Sequence, residues 1–586
     1  MGRLKLEITL AQTQADIETI VARIHKEHPE TVGHTARLVS FHENVTGDAR
    51  TPLLVLLVAV GLMLLIACTN IANLLLARAA ARAREMGIRT ALGAGRARLV
   101  RQMLTETLLL ALAGGGLGVV VARGGVELLV AISPQGTPRV SEIALHPQVL
   151  LAALGVTLLA GVGFGLAPAW QASRASIAET LKEGTPSVAG GLRHNRLRSA
   201  LIVAEMALSL LLLVGAGLLL RSFGRLLEIH PGFNPENLFT VSLNFTGRPY
   251  QAAEYRVQFL RNLLERLEAQ PGVEGVAASN DLPLEGQDTN GTPTIEGRPA
   301  SRPGEEVIVG QHCVNPEYFK VMGIPLLRGR TFTERDVASS PAVVIVNEAM
   351  AQRFWPCEDP IGKRFRLFGG QDGAAREIVG VVGNVKHNGL HAPDSLEAYA
   401  PFAQDPWGYA VLALRTKSDP RAILEAVRRE VQALDAEMPV HSARTMEEVA
   451  AETLATRRQT LFLTGLFAVL AEALAAVGLY GVMTYLVAQR THEIGIRMAL
   501  GAESGDVLRL VLGQGMLLTL AGVALGIVAA LALSRLLAGL IFGVSATDWV
   551  TFATVTSLLA GVALAASYVP ARRAARVDPL IALRYE

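Results

Sequence analysis

Apolar residues along this chain are gathered into seven long runs. Leu53–Leu76 (LLVLLVAVGLMLLIACTNIANLLL) carries no charge, and Val149–Trp170 and Trp549–Val569 are also uncharged. Thr107–Val130 is apolar and glycine-rich, interrupted by Arg123 and Glu127 near its end. Ser199–Leu220 carries only Glu205, Leu461–Val487 only Glu472, and Leu512–Leu537 has Arg535 near its end. A hydrocarbon core about 30 Å thick needs roughly 20 helical residues at about 1.5 Å rise each. Helices of soluble domains show a polar face, and these runs show none. They predict about seven transmembrane helices.

The pattern changes over residues 222–460, where apolar runs shorten and Gly/Pro punctuation becomes frequent. Val241–Phe245, Ala342–Val346, Glu377–Val385 and Tyr409–Arg415 read as strands. Tyr255–Leu267 reads as an amphipathic helix with Val257, Leu260, Leu263, Leu264 and Leu267 on one face. Further helices are predicted at Asn347–Phe354 and Ala422–Leu434. Strands alternating with single helices predict an α+β domain of small βαβ units.

Charge orients the spans. Lys and Arg accumulate in cytoplasmic loops, and here they fill alternate connections: Ala77–Met103, Gln171–Arg198, Ala488–Leu510 and the tail Ala571–Glu586. Gly124–Pro147 has only Arg139, and Ala538–Asp548 has no basic residue. The four basic segments are therefore placed in the cytoplasm, and residues 1–50 and 222–460 outside. Residues 1–50 are polar, yet Met1–Leu10 (MGRLKLEITL) has no apolar region resembling a signal peptide. The expectation is an N-terminally truncated chain or a mis-assigned start, with a preceding helix missing.

The chain repeats itself. A shift of 408 residues aligns Glu85–Gly118 with Glu493–Gly526, with 17 of 34 positions identical around EMGIRTALGA and EIGIRMALGA. Both copies run into a helix carrying GxxxG, at Gly114/Gly118 and Gly522/Gly526, which predicts close helix contacts. A shift of 402 aligns Pro168–Lys182 with Pro570–Arg584. Both copies have the same topology, so the repeat is parallel, with a pseudo-axis along the membrane normal. More loosely, Ile17–Ile24 parallels Ala422–Leu434, and Arg37–Val39 parallels Val440–Arg444. The division is then 1–50, remnant of a first outer domain; 51–184, first three-helix repeat; 185–221, basic linker and helix; 222–460, outer domain; 461–586, second three-helix repeat.

Composition agrees with this layout. Of 586 residues, 51% are hydrophobic and 18% charged, with mean hydropathy +0.36; such a chain is too apolar for disorder. The net charge of +2 is a cancellation. The four cytoplasmic segments hold 19 basic and 8 acidic residues, whereas residues 222–460 hold 25 basic and 31 acidic. Neither the total nor its distribution suggests nucleic-acid binding.

E-x-G-I-R-x-A-L-G-A between two membrane helices resembles the FtsX-like permease signature. Asn315–Arg330 (NPEYFKVMGIPLLRGR), Val344–Phe354 (VIVNEAMAQRF), Glu358–Arg366 (EDPIGKRFR) and Glu377–His387 resemble the periplasmic core of MacB-type ABC exporters. The duplication resembles the double-length acidobacterial-type orphan permeases. The resemblance covers nearly the whole chain. It implies a bacterial inner-membrane permease subunit that couples ATP hydrolysis by a separate cytoplasmic ABC ATPase dimer to movement of a periplasmic domain. Export or efflux is the expected outcome, with a periplasmic adaptor or outer-membrane channel as a further partner. The alternative is a non-transporting mechanotransmission or scaffold protein that regulates a periplasmic hydrolase or sensor.

The resemblance also implies ATPase-coupling residues: Glu85, Gly87, Ile88, Arg89, Leu92 and Gly93 in one copy, and Glu493, Gly495, Ile496, Arg497, Leu500 and Gly501 in the other. Ile88, Leu92 and Leu99 form one apolar face at helical spacing, with Arg89 and Arg96 facing elsewhere. Gly87 and Gly93 permit close approach of a partner backbone. The competing reading is an interfacial helix anchored by arginines to anionic lipid.

Catalytic motifs are missing from the sequence. No G-x-x-x-x-G-K-[ST] occurs, so the chain carries no P-loop. No H-E-x-x-H and no C-x-x-C occurs, so no cofactor or zinc site is expected. His387 and His391 flank a turn and read as solvated loop histidines, as do His25, His28 and His34. Cys313 and Cys357 could meet in an oxidising compartment. Glu205 and Glu472 lie within spans, either as functional charges or as hydrogen-bond acceptors between helices. Asn70 and Asn73 read as helix-packing residues. A membrane enzyme would need a convergent acid/base cluster within 222–460, and none is visible.

Overall fold

The computed structural model describes residues 4–5, 8–27, 36, 38–81, 96–132, 145–174, 188–286, 289–299, 306–368, 373–537 and 541–576. The chain divides into two compact units, Met1–Gly47 with Leu226–Ala455 and Asp48–Arg225 with Thr456–Glu586. In chain order the first helices are α1 (Leu10–Glu27), α2 (Phe41–Ala81), α3 (Arg96–Ile132), α4 (Pro147–Arg174) and α5 (Val188–Leu227). The expected helix at Ile17–Ile24 lies within α1.

The sheet-bearing unit follows: β1 (Leu238–Asn244), α6 (Ala253–Glu268), β2 (Val273–Ser279), β3 (Asn290–Gly291), β4 (Thr294–Ile295), β5 (Val309–Val314), α7 (Tyr318–Met322), β6 (Leu326–Gly329), β7 (Val343–Asn347), α8 (Glu348–Phe354), β8 (Arg364–Arg366), β9 (Arg376–Val382), β10 (Glu397–Pro401), β11 (Tyr409–Thr416), α9 (Leu424–Leu434) and β12 (Val440–Thr445). The predicted strands and helices are present, with ends shifted by a few residues. In α6, Phe259, Leu260, Leu263 and Leu267 are buried at helical spacing. Asn347 caps α8 by accepting from the Met350 amide at 3.0 Å, which ends β7 and starts the helix at one residue.

The strands form one mixed sheet in the order β12-β1-β11-β2-β5-β10-β7-β9-β8-β4, with β3 added to β5 and β6 to β9. Most pairs are antiparallel. β5 with β10 and β7 with β9 are the parallel pairs among the described residues. The β7–α8–β9 connection is the βαβ element the sequence predicts, and the remainder is an antiparallel frame around it. In the β5/β10 register Tyr399 lies beside His312 and Glu397 beside Gly310. All of β5, β7 and β10 is buried, so polar side chains on these strands are carried into the core.

The second unit is helical and closes with α10 (Met446–Gln489), α11 (Thr491–Ala499), α12 (Ser504–Leu537) and α13 (Trp549–Ala574). Six helical stretches among the described residues are long and apolar enough to cross a bilayer: Arg50–Leu75, Leu104–Leu128, Arg196–Leu227, Arg457–Gln489, Ser504–Leu533 and Trp549–Ala574. The seventh predicted span, Val149–Trp170, lies in α4, where Pro147–Gly163 is a shorter apolar stretch. The repeat is visible in the helix boundaries. α2 ends at Ala81 and α10 at Gln489, and α3 begins at Arg96 and α12 at Ser504, each 408 residues apart. α4 begins at Pro147 and α13 at Trp549, 402 apart.

Two expectations are corrected by the fold, and one open pairing is decided. His387 is not a solvated loop residue: it is fully buried, because its ring stacks on His312 of β5 with centroids 4.2 Å apart. His391 is exposed and His25 half-exposed, while His28 and His34 lie outside the described residues. Cys313 and Cys357 do not meet. Cys313 is held inside β5, where its sulfur accepts a hydrogen bond from Trp407 Nε1 at 3.0 Å, and Cys357 is exposed. An acid/base cluster does exist within 222–460: strand pairing and two loops, after β2 and after β9, bring Asp281, His312, His387 and Glu397 together.

Candidate functional site

The second coupling segment is α11 and the turn after it. Glu493 and Arg497 are one helical turn apart and form an ion pair at 2.6 Å, both about half exposed. Ile494 and Gly495 point inward. Ile496 is 40% exposed and Leu500 83% exposed. These two residues stand at i and i+4, hence on one face, and form an apolar pair facing outward. α11 ends in a Schellman turn: Gly501 N–H donates to Met498 O at 3.1 Å and Ala502 N–H to Arg497 O at 3.0 Å. Gly501 sits at φ +100, and a Cβ there would meet no neighbour. Its requirement is therefore conformational, a backbone that L side chains rarely adopt. The third position of the apolar face, Val507 in this copy, is buried. The first-copy residues Glu85, Gly87, Ile88, Arg89, Leu92 and Gly93 lie outside the described residues.

The two GxxxG pairs differ. A Cβ on Gly522 would overlap Met206 Cβ of α5 and stand 2.9 Å from Val203 O. One on Gly526 would stand 3.0 Å from Ala207 O and 2.8 Å from Leu210 Cδ2. Here two backbones approach as closely as small residues allow. At Gly114 and Gly118 a Cβ would meet nothing within 4 Å. The first-copy hairpin instead packs through Gly161, 3.1 Å from Ala111 Cβ by the same measure.

Polar residues meet between the apolar helices of this unit. Glu205 is fully buried on α5, beside Gly478 of α10, where a Cβ would come within 2.6 Å of both carboxyl oxygens. Asn70 of α2 donates to Leu474 O at 2.9 Å, the interhelical role expected for it. Ser209 Oγ donates to Glu472 Oε2 at 3.2 Å. Arg198 is buried with its guanidinium 3.9 Å over the Tyr485 ring. Asn70, Asn73, Arg198, Gly478 and Tyr485 line a cavity of about 30 Å³, room for a water molecule. The side-chain amide of Asn73 and the guanidinium of Arg198, both lining this space, have no protein hydrogen-bond partner. Glu205 and Glu472 are thus both interhelical residues at the α5/α10 contact, Glu205 beside Gly478 and Glu472 one helical turn along α5 at Ser209.

In the sheet-bearing unit, α6, α7 and the loop after β6 border a cleft of about 410 Å³. Its walls carry Glu265, Glu268, Glu274, Glu317 and Glu334, against Arg261 and Lys320. Burial pushes the Glu268 carboxyl up, and the charges of Glu317 and Glu334 push it further. At its rim Arg330 grips Asp336 in a two-point ion pair at 2.8 and 2.9 Å. Nothing in the sequence marked this cleft, since its acidic residues come from three separate segments.

Comparison with known proteins accounts for most of the chain. Residues 199–434 match the MacB-like periplasmic core domain, and residues 57–177 and 465–579 each match the FtsX-like permease C-terminal domain. An uncharacterised ABC transporter permease, YknZ of Bacillus subtilis, is 27% identical over 58% of this chain and 82% of its own length. The macrolide export ATP-binding/permease protein MacB of Acinetobacter baylyi is 27% identical over 55% of this chain and 47% of its own. The pyoverdine export ATP-binding/permease protein PvdT of Pseudomonas savastanoi is 31% identical over 45% of this chain and 40% of its own. The chain thus spans less than half the length of these two ATP-binding/permease relatives. Six apolar helices with a MacB-like α+β core fit a multi-pass inner-membrane protein, and the chain belongs to the MacB/FtsX-like family of ABC transporter permeases.

Proposed function

We propose that this chain is the permease subunit of an export or efflux complex driven by a separate cytoplasmic ABC ATPase. Residues 51–184 and 461–586 are the two permease domains, and 222–460 is the extracytoplasmic domain that does mechanical work. The observation that carries this reading is the outward apolar pair Ile496/Leu500 beside the Glu493–Arg497 ion pair. An apolar patch rimmed by charge is what a protein partner covers; an interfacial helix would turn the same face to lipid, and loss or retention of the ATPase in the experiment below separates the two. The duplicated motif offers one such segment to each half of an ATPase dimer. Relatives named for export of a macrolide and of pyoverdine support export as the direction of work.

The test is affinity purification of the full chain from native membranes, with and without paired Arg89→Glu and Arg497→Glu substitutions. An ABC ATPase co-purifies with the parent chain and is lost from the double variant. Recovery of no ATPase, or equal recovery with both chains, overturns the assignment. Transport in reconstituted vesicles then separates export from relay to a periplasmic hydrolase or sensor.

A further inference from the structure

The buried cluster in the sheet-bearing unit is unused by the coupling mechanism. His312 lies on β5, Asp281 in the loop after β2, and His387 in the loop after β9. Asp281 Oδ1 is 2.8 Å from His312 Nδ1. The His312 ring is sandwiched, stacked on His387 at 4.2 Å and on Tyr399 at 4.9 Å. Glu397 approaches His387 Nε2 at 3.5 Å, long for a hydrogen bond, and itself accepts from Tyr399 OH at 2.7 Å. All four charged or titratable members are between 0 and 4% exposed.

This core is expensive as it stands. Asp281 Oδ2, His312 Nε2, both nitrogens of His387 and Glu397 Oε1 are buried without a hydrogen-bond partner. An orphaned buried polar atom costs about 1–3 kcal/mol, more when charged, so five together call for a ligand. One ligand atom from each of Asp281, His312 and His387 lies within 4.8 Å of the others.

We propose that Asp281, His312 and His387 bind one divalent transition-metal ion of the zinc class, with Glu397 beside it as a further carboxylate. The donor set decides the class: imidazole nitrogens with carboxylate oxygens suit zinc and its neighbours, whereas magnesium and calcium take oxygen alone. Asp281 Oδ1 and His312 Nδ1, 2.8 Å apart, are neighbouring donor atoms, and with Nδ1 deprotonated both would turn lone pairs to the same ion. Rotation of the His387 ring out of the stack turns a nitrogen toward the other two donors. The loop after β2 is strapped over the cluster by Leu284 N–H on Lys386 O at 3.1 Å and Gly286 N–H on His387 O at 2.9 Å. An ion so enclosed is structural: it binds as the domain folds and ties three segments distant in sequence.

The test uses the full chain, purified in detergent through a tag that binds no metal. Elemental analysis finds about one zinc-class ion per chain, or finds it after chelation and re-exposure to Zn²⁺. Zn²⁺ at a hundredfold excess over Kd raises the unfolding midpoint of the chelated chain by roughly 5–10 °C. Co²⁺ in its place gives the visible absorption of a four-coordinate ion. His312→Gln with His387→Gln removes the ion and the shift. If that variant does not fold, Asp281→Asn and the titration of the parent chain decide. A parent chain that stays metal-free after Zn²⁺ exposure, or shows no midpoint shift, overturns the proposal and leaves the cluster as a proton-binding core.

Discussion

Replacing Leu500 with Gln separates contact from fold at the coupling segment. Leu500 is 83% exposed at the end of α11, so nearly its whole side chain remains to be covered by a partner. Gln keeps the length and helix compatibility of Leu while removing its apolar character. Folding should change by less than about 0.5 kcal/mol, as for other exposed positions. Burying a leucine side chain contributes about 1.5–3 kcal/mol, which corresponds to roughly 10- to 150-fold in Kd. The assay is titration of the ATPase onto the permease in nanodiscs, with the unfolding midpoint of each variant measured alongside. Gly501→Ala is the comparator: its Cβ touches nothing, but φ is +100, so it should loosen the turn and weaken binding through the backbone. If Leu500→Gln binds within twofold of the parent at an unchanged midpoint, the exposed pair does not meet the ATPase and the coupling assignment for this segment fails.

Other substitutions test the packing. Gly522→Leu and Gly526→Leu should destabilise the helical unit by about 1–3 kcal/mol through overpacking against α5, whereas Gly114→Leu should be tolerated; thermal unfolding in detergent reads the difference. Asp336→Ala should cost about 1–3 kcal/mol by stranding Arg330 and the Thr333 amide. Burial alone would raise the Asp336 carboxyl, but hydrogen bonds from Arg330 and Thr333 outweigh it and hold it below the usual carboxylate range. Its contribution is therefore full above about pH 4 and is lost as pH falls through the lower folded value, so acid unfolding of the Ala variant should begin from a lower plateau and be shallower below that point. Asp548 caps α13 by accepting from the Thr551 amide at 2.9 Å and pairs with Arg221; Asp548→Ala should cost about 1 kcal/mol in the same unfolding assay.

The legible part of this molecule is the part written in local patterns. Spans such as Leu53–Leu76 follow from apolar length alone, and α6 from the spacing of Leu260, Leu263 and Leu267. The repeat was legible because its identities fall at one offset. Long-range pairing was not. The parallel β5/β10 register sets Tyr399 beside His312, and the inward loop after β9 stacks His387 on the same ring; no local spacing encodes either. Gly93 reads in the sequence as making room for a partner backbone, yet its counterpart Gly501 serves a left-handed turn, a difference the sequence alone does not show. The GxxxG pairs look identical in sequence, but only Gly522 and Gly526 have a helix against them, because packing depends on the neighbour as much as on the motif.

The two repeat offsets carry a further consequence. From the end of α2 or α10, through E-x-G-I-R, to the start of α3 or α12, the copies keep one spacing of 408 residues. By the start of α4 and α13 it has fallen to 402. The six residues were gained or lost across the hairpin at the far side of the bilayer. Divergence of length was accepted where each hairpin turns outside and refused where the two copies face the cytoplasm. Each E-x-G-I-R segment therefore stands the same number of residues from the helix before it and from the hairpin helix after it.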